Sequence, residues 1–205
     1  MDVLAITSIT NFILASELFL LAGLMIRTPK ARLSAAWFWG GALLALATSA
    51  LLGGIDHGFV EPAGLSRFWI QRPNWLVMGV VTFCTLMAMA RQFLPSRWQG
   101  PVLVAGVVQF AVYAVAVVLV GDFLVVIVNY LPVILAFLLL NIRGLGDGTG
   151  SWQMVAGVVV LLVATAVQAL GIDAFGSLDH DGLYHVIAIA GVPFLYWGGQ
   201  RLRAA

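Results

Sequence analysis

Seven long apolar runs, separated by short polar segments, constrain the fold of this chain more than any other feature of its sequence. A helix needs about 20 predominantly apolar residues to cross the hydrocarbon layer of a bilayer, and the runs approach that length. We therefore predict an all-α integral membrane protein, a bundle of seven transmembrane helices that forms one domain over residues 1–205. The predicted spans are 4–26, 34–56, 74–90, 101–120, 122–141, 152–173 and 183–200.

The composition supports this class and excludes others. Charged residues make up 9% of the chain, whereas a soluble domain contains roughly 25%. The few basic residues form no stripe, so nucleic acid is not an expected partner. The single cysteine, Cys84, excludes a disulfide framework. The expected partners are membrane lipid and, because the loops are short, other membrane subunits.

The basic residues predict an orientation for the bundle. With seven crossings, Arg67 and Arg72 fall on the face that holds the N-terminus, and the other eight bases fall on the opposite face. Lysine and arginine are enriched in cytoplasmic loops. We therefore expect the N-terminus outside and the C-terminus in the cytoplasm, in a bacterial inner (plasma) membrane.

Prolines mark the predicted helices in two ways. Pro73 and Pro101 are expected in the first turns of the third and fourth helices, where the missing N–H removes no hydrogen bond. Pro132 and Pro193 fall inside the fifth and seventh spans, where proline predicts a kink.

All three histidines of the chain are predicted to lie at the same membrane face. The second span ends there with Asp56 and His57, and the seventh begins there with His180, Asp181 and His185. Imidazole and carboxylate are the usual protein ligands of zinc, and a catalytic zinc has three protein ligands and an open position for water. The sequence therefore predicts a metal site at this face.

The spacing limits which side chains could share one ion. Asp181 and His185 are four residues apart and lie on one helix face, whereas His180 and His185 are about 140° apart on a helix with 3.6 residues per turn. His180 can take part only if the helix begins after it. The predicted ligands are His57 and His185 with His180 or Asp181 as the third, and Asp56 is the candidate catalytic base. Solvated polar residues at helix ends are the alternative interpretation.

These residues resemble the alkaline ceramidase/adiponectin-receptor (CREST) superfamily of seven-helix membrane hydrolases. Members hold zinc with a histidine near the end of helix 2 and two more from an HxxxH motif on helix 7. The resemblance places His57 at the first position, and "LYHVIAIAG" (183–191) resembles the helix 7 stretch, with His185 as the second histidine of its motif. Asp181 takes the place of the first, so the motif reads DxxxH, with His180 displaced by one residue.

The leading hypothesis is a zinc-dependent membrane hydrolase that cleaves a lipid amide or ester from the non-cytoplasmic side. In the first alternative, His57 and His185 are the axial ligands of a haem b. In the second, the chain is a structural subunit of a membrane complex and its histidines do no chemistry.

Overall fold

The computed structural model describes residues 3–174, 176 and 178–204 and folds them into seven α-helices. A π-helical turn, Asp56–Val60, continues the second helix directly. The helices are α1 (Val3–Arg27), α2 (Ala35–Ile55), α3 (Phe68–Phe93), α4 (Ser96–Val120), α5 (Leu124–Arg143), α6 (Trp152–Ala169) and α7 (His180–Gly199).

The described residues form the predicted all-helical fold, with one helix for each apolar run. Six helices, α1 to α6, are long and apolar enough to cross a membrane. The seventh, α7, has 20 residues but is not one of this group.

Six of the helices form a closed ring, and one lies outside it. Around the ring, α1 packs on α2, α2 on α3, α3 on α5, α5 on α6, α6 on α7, and α7 returns to α1. The remaining helix, α4, contacts α3 and α5 from the outside and buries only Gly106, Tyr113 and Val117. The ring therefore encloses an interior that α4 does not line.

The ends of several helices meet at each end of the ring. At one end, the backbone N–H of Ala31, after α1, donates to the carbonyl of Ala204, after α7, over 2.8 Å. At the same end, Gln92 of α3 donates to the carbonyl of Thr149, just before α6, over 2.6 Å. The end of α2 and the start of α7 lie at the other end, which therefore holds all three histidines.

The positions predicted for two prolines are wrong. Pro73 and Pro101 each occupy the sixth position of their helix, because α3 begins at Phe68 and α4 at Ser96. Hydropathy marks the part of a helix that suits the hydrocarbon layer, whereas the helical backbone continues through the polar residues beyond it. Pro132 and Pro193 lie inside α5 and α7, as expected.

Candidate functional site

A cavity with a volume of about 290 Å³ lies inside the ring at the histidine end. We call it the polar cavity, because charged and amide side chains from four helices, the π-helical turn and the segment before α3 line it. Asp56, His57, Asp181 and His185, four of the five candidate site residues, lie in its wall. Its other polar lining residues are Asn11, Ser49, Arg67, Gln71, Asn74 and Gln168.

The π-helical turn brings Asp56 and His57 to this cavity, and close packing against α1 fixes the turn. The hydroxyl of Ser8 donates to the carbonyl of Gly54 over 2.8 Å. A Cβ atom on Gly58 would collide with that same hydroxyl, so only glycine allows this approach of the two segments. π-Helical turns are rare and are frequent at functional sites, which is consistent with the two candidate residues that this one carries.

Arg67 holds the mouth of the polar cavity in a network of ion pairs. Its Nη2 lies 2.7 Å from Oδ2 of Asp56, and its Nε lies 3.0 Å from Oδ1 of the same carboxylate. Its Nη1 lies 2.7 Å from Oε1 of Glu61. The hydrogen bond to Asp56 raises the pKa of the Arg67 guanidinium above its already high ordinary value. Both oxygens of Asp56, the predicted catalytic base, are thus engaged by one arginine.

The two histidines of the cavity share an arrangement that selects one tautomer for each ring. Nδ1 of His57 lies 2.8 Å from Oε2 of Glu61, which can only accept as a carboxylate. Nδ1 of His185 lies 3.3 Å from Oγ1 of Thr10. The single hydroxyl proton of Thr10 is directed to the backbone carbonyls of Ile6 and Thr7, each 3.0 Å away, which leaves its oxygen to accept from the ring. We therefore place the ring proton of the neutral form on Nδ1 for each histidine.

With Nδ1 protonated, Nε2 of each ring carries the free lone pair. Neither Nε2 atom has a hydrogen-bond partner among the described residues. The fully buried unpaired atoms of these residues do not include either one, so both Nε2 atoms are accessible. Because both rings line the polar cavity, each Nε2 is open to a ligand in it. A histidine that ligates a metal almost always donates its other N–H to an acceptor, as both of these rings do.

Asp181 belongs to the polar cavity and His180 does not. The carboxylate of Asp181 accepts from Nε2 of Gln168 over 2.7 Å, and Asp181 and His185 line the same cavity, as their spacing predicts. His180 is already the first residue of α7, with Asp179 as the N-cap. Its Nδ1 lies 2.9 Å from Asp173, a contact that lowers the pKa of the Asp173 carboxyl.

The candidate ligands are of the types that bind zinc, but their side chains are not arranged to hold one ion. Among residues 3–174, 176 and 178–204, no three His, Cys, Asp or Glu side chains come close enough together to hold a metal ion. Two imidazoles with free Nε2 atoms and one carboxylate, those of His57, His185 and Asp181, nevertheless line one cavity, and they are the ligand types that a catalytic zinc uses. The structure thus places these three residues around one space without joining them.

A second cavity, with a volume of about 310 Å³, continues from the polar one toward the middle of the ring. We call it the apolar cavity, because most of its lining is aliphatic or aromatic, including Leu43, Ile134 and Leu161. His180 lies in its wall. Six residues line both cavities, so the two spaces adjoin: Leu46, Met78, Phe123, Gln168, Asp181 and Tyr184.

Comparison with known proteins identifies a family for the chain. A family of unknown function (DUF6962) matches residues 6–204. The chain belongs to this family. No curated protein matches it, and no solved structure matches it. The family match covers every helix of the ring, including the residues of both cavities.

Several residues of the site carry no clear signal in the sequence. Ser49 of α2 donates to Oδ1 of Asn74 of α3 over 2.6 Å, and both side chains line the polar cavity. Tyr184 lies between the two cavities. Arg67 alone could have been found, because it is one of only two bases that the predicted topology places at the histidine end.

Proposed function

We propose that this protein binds a membrane amphiphile, with the polar group in the polar cavity and the apolar chain in the apolar cavity. The observation that carries the proposal is the wall of six residues that the two cavities share. Ligand sites are concave and mostly apolar, with a few placed polar groups that set orientation. A molecule with one polar end and one apolar end matches both parts of this space.

The charges of the polar cavity indicate the class of polar group. Its lining contains two carboxylates, Asp56 and Asp181, and one guanidinium, Arg67, which Asp56 and Glu61 already neutralise. A phosphate in this space would meet an excess of negative charge. Hydroxyl, amide and ester groups suit it better, because Gln71, Asn74 and Gln168 offer both donors and acceptors.

The proposal extends to the membrane itself. We propose that all seven helices cross the bilayer, including α7, with the N-terminus outside and the C-terminus in the cytoplasm of a bacterial inner membrane. Eight of the ten basic residues of the chain lie at the end opposite the polar cavity, which supports this orientation. The amphiphile then enters from the non-cytoplasmic leaflet, on the side of the polar cavity.

A second candidate function is hydrolysis of the bound amphiphile with a divalent metal, as the resemblance to the CREST hydrolases implies. Two observations favour it: the Nδ1 atoms of His57 and His185 are oriented by acceptors, and Asp181 shares their cavity. These three side chains would hold the metal, which when bound polarises a carbonyl and lowers the pKa of a water to about 7. Glu61 and Thr10 orient the two imidazoles, and Arg67 donates to both carboxylate oxygens of Asp56.

Amphiphile binding can be tested by filling the space between the cavities. Leu46 lines both cavities, whereas Leu44, two residues away on the same helix, is 41% exposed on the outer surface. We expect Leu46→Trp to lose the amphiphile that native mass spectrometry detects on the purified protein, and Leu44→Trp to keep it. Equal retention by the two variants, or a wild-type protein that carries no amphiphile, would contradict the proposal.

The metal-dependent candidate has its own test, in which His180 is the control. His180 lines the apolar cavity and binds Asp173, so His180→Ala removes an imidazole without touching the polar cavity. We expect elemental analysis to find zinc in wild-type and His180→Ala protein and to find it lost in His57→Ala and His185→Ala. Undiminished zinc in His185→Ala would rule this candidate out and leave amphiphile binding unaffected.

The two alternatives to hydrolysis give different results in the same preparations. Haem b bound by His57 and His185 would give a Soret band that either alanine variant removes. A purely structural role would leave the function of the assembly unchanged when all three histidines become alanine.

A further inference from the structure

The end of the ring opposite the polar cavity contains a pocket of a different character. Three arginines, Arg32, Arg91 and Arg203, line a space with a volume of about 350 Å³ together with Ser34 and Gln99. They come from the loop between α1 and α2, from the end of α3 and from the segment after α7. We call this space the arginine pocket.

The backbone positions the arginines independently of their side chains. The N–H of Arg203 donates to Oε1 of Gln92 over 2.9 Å, and its carbonyl accepts from the N–H of Ala36 over 3.0 Å. The carbonyl of Ala204 accepts from Ala31, next to Arg32. The segment after α7 is therefore tied to α2, to α3 and to the loop before α2, which holds three separate parts of the chain around the pocket.

The positive charge in the pocket has no counterpart within the described residues. None of the three arginines forms an ion pair with a described carboxylate, since the four ion pairs found there all lie at the histidine end. The polar contact of Arg91 is with a neutral group, Oε1 of Gln99, at 2.6 Å. Ser34, the N-cap of α2, adds the positive end of a helix dipole to the same space.

The backbone of the pocket also contains a strained residue. Leu33, between Arg32 and Ser34, has a φ of 63°, and no other described residue except glycine has a positive φ. Leu33 itself lines the arginine pocket. Strained backbone conformations concentrate at ligand-binding and switch segments, and here the strained residue separates two polar lining residues of one pocket.

We propose that the arginine pocket binds a phosphate-type anion. Guanidinium groups bind phosphate oxygens with two parallel hydrogen bonds, and several of them around one space suit a tetrahedral oxyanion. The phosphate group of an anionic membrane lipid and free inorganic phosphate share this chemistry. The site is separate from both cavities of the proposed function and does not depend on it.

The test compares two variants that lose the same charge from the same end of the ring. Arg32→Gln/Arg203→Gln removes two lining guanidiniums, whereas Arg97→Gln/Arg201→Gln removes two exposed arginines that do not line the pocket. Purified full-length protein is titrated with phosphatidylglycerol and, separately, with inorganic phosphate. Binding is followed by native mass spectrometry for the lipid and by thermal stabilisation for the ion.

We expect affinity to fall by at least about tenfold in the pocket variant, because each lost charge-assisted hydrogen bond to phosphate is a strong one, and to change little in the control. A selective loss of phosphatidylglycerol binding identifies a lipid phosphate as the ligand, and a selective loss of the effect of inorganic phosphate identifies the free ion. Equal losses in the two variants indicate only a general surface attraction and overturn the proposal, as does unchanged binding in the pocket variant. If the double variant does not fold, Arg203→Lys, which keeps the charge and removes the planar fork, is expected to weaken phosphate binding; unchanged binding in it would equally overturn the proposal.

Discussion

The two ends of the ring both carry charged residues, but they hold them differently. At the histidine end, Arg67 is bonded to Asp56 and Glu61, and all four ion pairs of the described residues lie there. At the opposite end, the three arginines of the arginine pocket have no described carboxylate partner. Charges that are neutralised within the protein hold its structure and position a site, whereas charges without an internal partner remain available to an external ion. If this difference is energetic, substitutions at the two ends should change the stability of the protein by different amounts.

Removal of one member of the buried ion pair should have the largest effect on stability. The side chain of Asp56 is 7% exposed and that of Arg67 is 29% exposed, so Arg67→Ala leaves a largely buried carboxylate without its partner. We expect the free energy of unfolding to fall by about 3 kcal/mol, as for a broken buried pair. Arg203→Ala, at the other end, should change it by less than about 0.5 kcal/mol. Denaturant unfolding in detergent micelles measures both.

The same comparison has a control within the pair. In Asp56→Leu/Arg67→Met, no charge remains unpaired, and replacement of a buried pair by apolar residues is often neutral. The double variant should therefore recover most of the stability that Arg67→Ala loses. If Arg67→Ala proves as mild as Arg203→Ala, the two ends do not differ in the way described.

A smaller loss is expected where the π-helical turn packs on α1. A Cβ atom on Gly58 would collide with the hydroxyl of Ser8, which donates to Gly54. Overpacking of this kind costs about 1–3 kcal/mol, and we expect Gly58→Ala to lower the thermal unfolding temperature accordingly. Because the turn carries His57, the variant should also weaken any ligand held in the polar cavity.

The matched control is Gly23→Ala. A Cβ at Gly23, inside α1, meets nothing within 4 Å, and its backbone is helical. It should therefore leave ligand binding in the polar cavity unchanged. An equal loss of binding in the two variants would show that close packing on α1 does not position the site.

Features that depend on neighbouring residues could be predicted from the sequence, whereas features that depend on contacts between separate segments of the chain could not. The seven helices follow from runs of apolar residues, and the shared cavity of Asp181 and His185 follows from their spacing of four. The pairing of Arg67 with Asp56 depends on how residues 61–67 connect the π-helical turn to α3, which no local pattern encodes. The helix α7 begins at His180, and the ring of His180 contacts Asp173 outside the polar cavity. Helix ends are the least certain part of any sequence-based assignment.

At the opposite end, a single substitution should increase stability. Leu33 has a left-handed φ of 63°, a conformation that costs about 1–2 kcal/mol for an L-residue with a side chain. Glycine adopts it without that cost but loses more entropy on folding. We expect Leu33→Gly to raise the free energy of unfolding by about 0.5–1 kcal/mol.

A measurement of phosphate binding in the same variant tests whether the strained residue also shapes the arginine pocket. If the strain serves only to shape the arginine pocket, Leu33→Gly binds phosphate more weakly while it unfolds at a higher temperature. Destabilisation of Leu33→Gly would contradict the strain itself.

The smallest effect should come from the exposed pair of Asp173 and His180. In this pair, a carboxylate at the histidine end has a partner even at the surface. The pKa of Asp173 lies below its ordinary value of 3.8, because the ring and the backbone N–H of His180 both donate to it. A lowered pKa means that the ionised form stabilises the fold at pH above 3.8 and that this contribution is lost as the pH falls through the lowered value. The unfolding temperature of Asp173→Asn should therefore lie slightly below that of wild type at pH 7, and the difference should vanish in strong acid. In a His180→Gln background the imidazole contribution is already absent, so the difference at pH 7 should shrink; a difference of the same size there would mean that the ring does not hold the carboxylate.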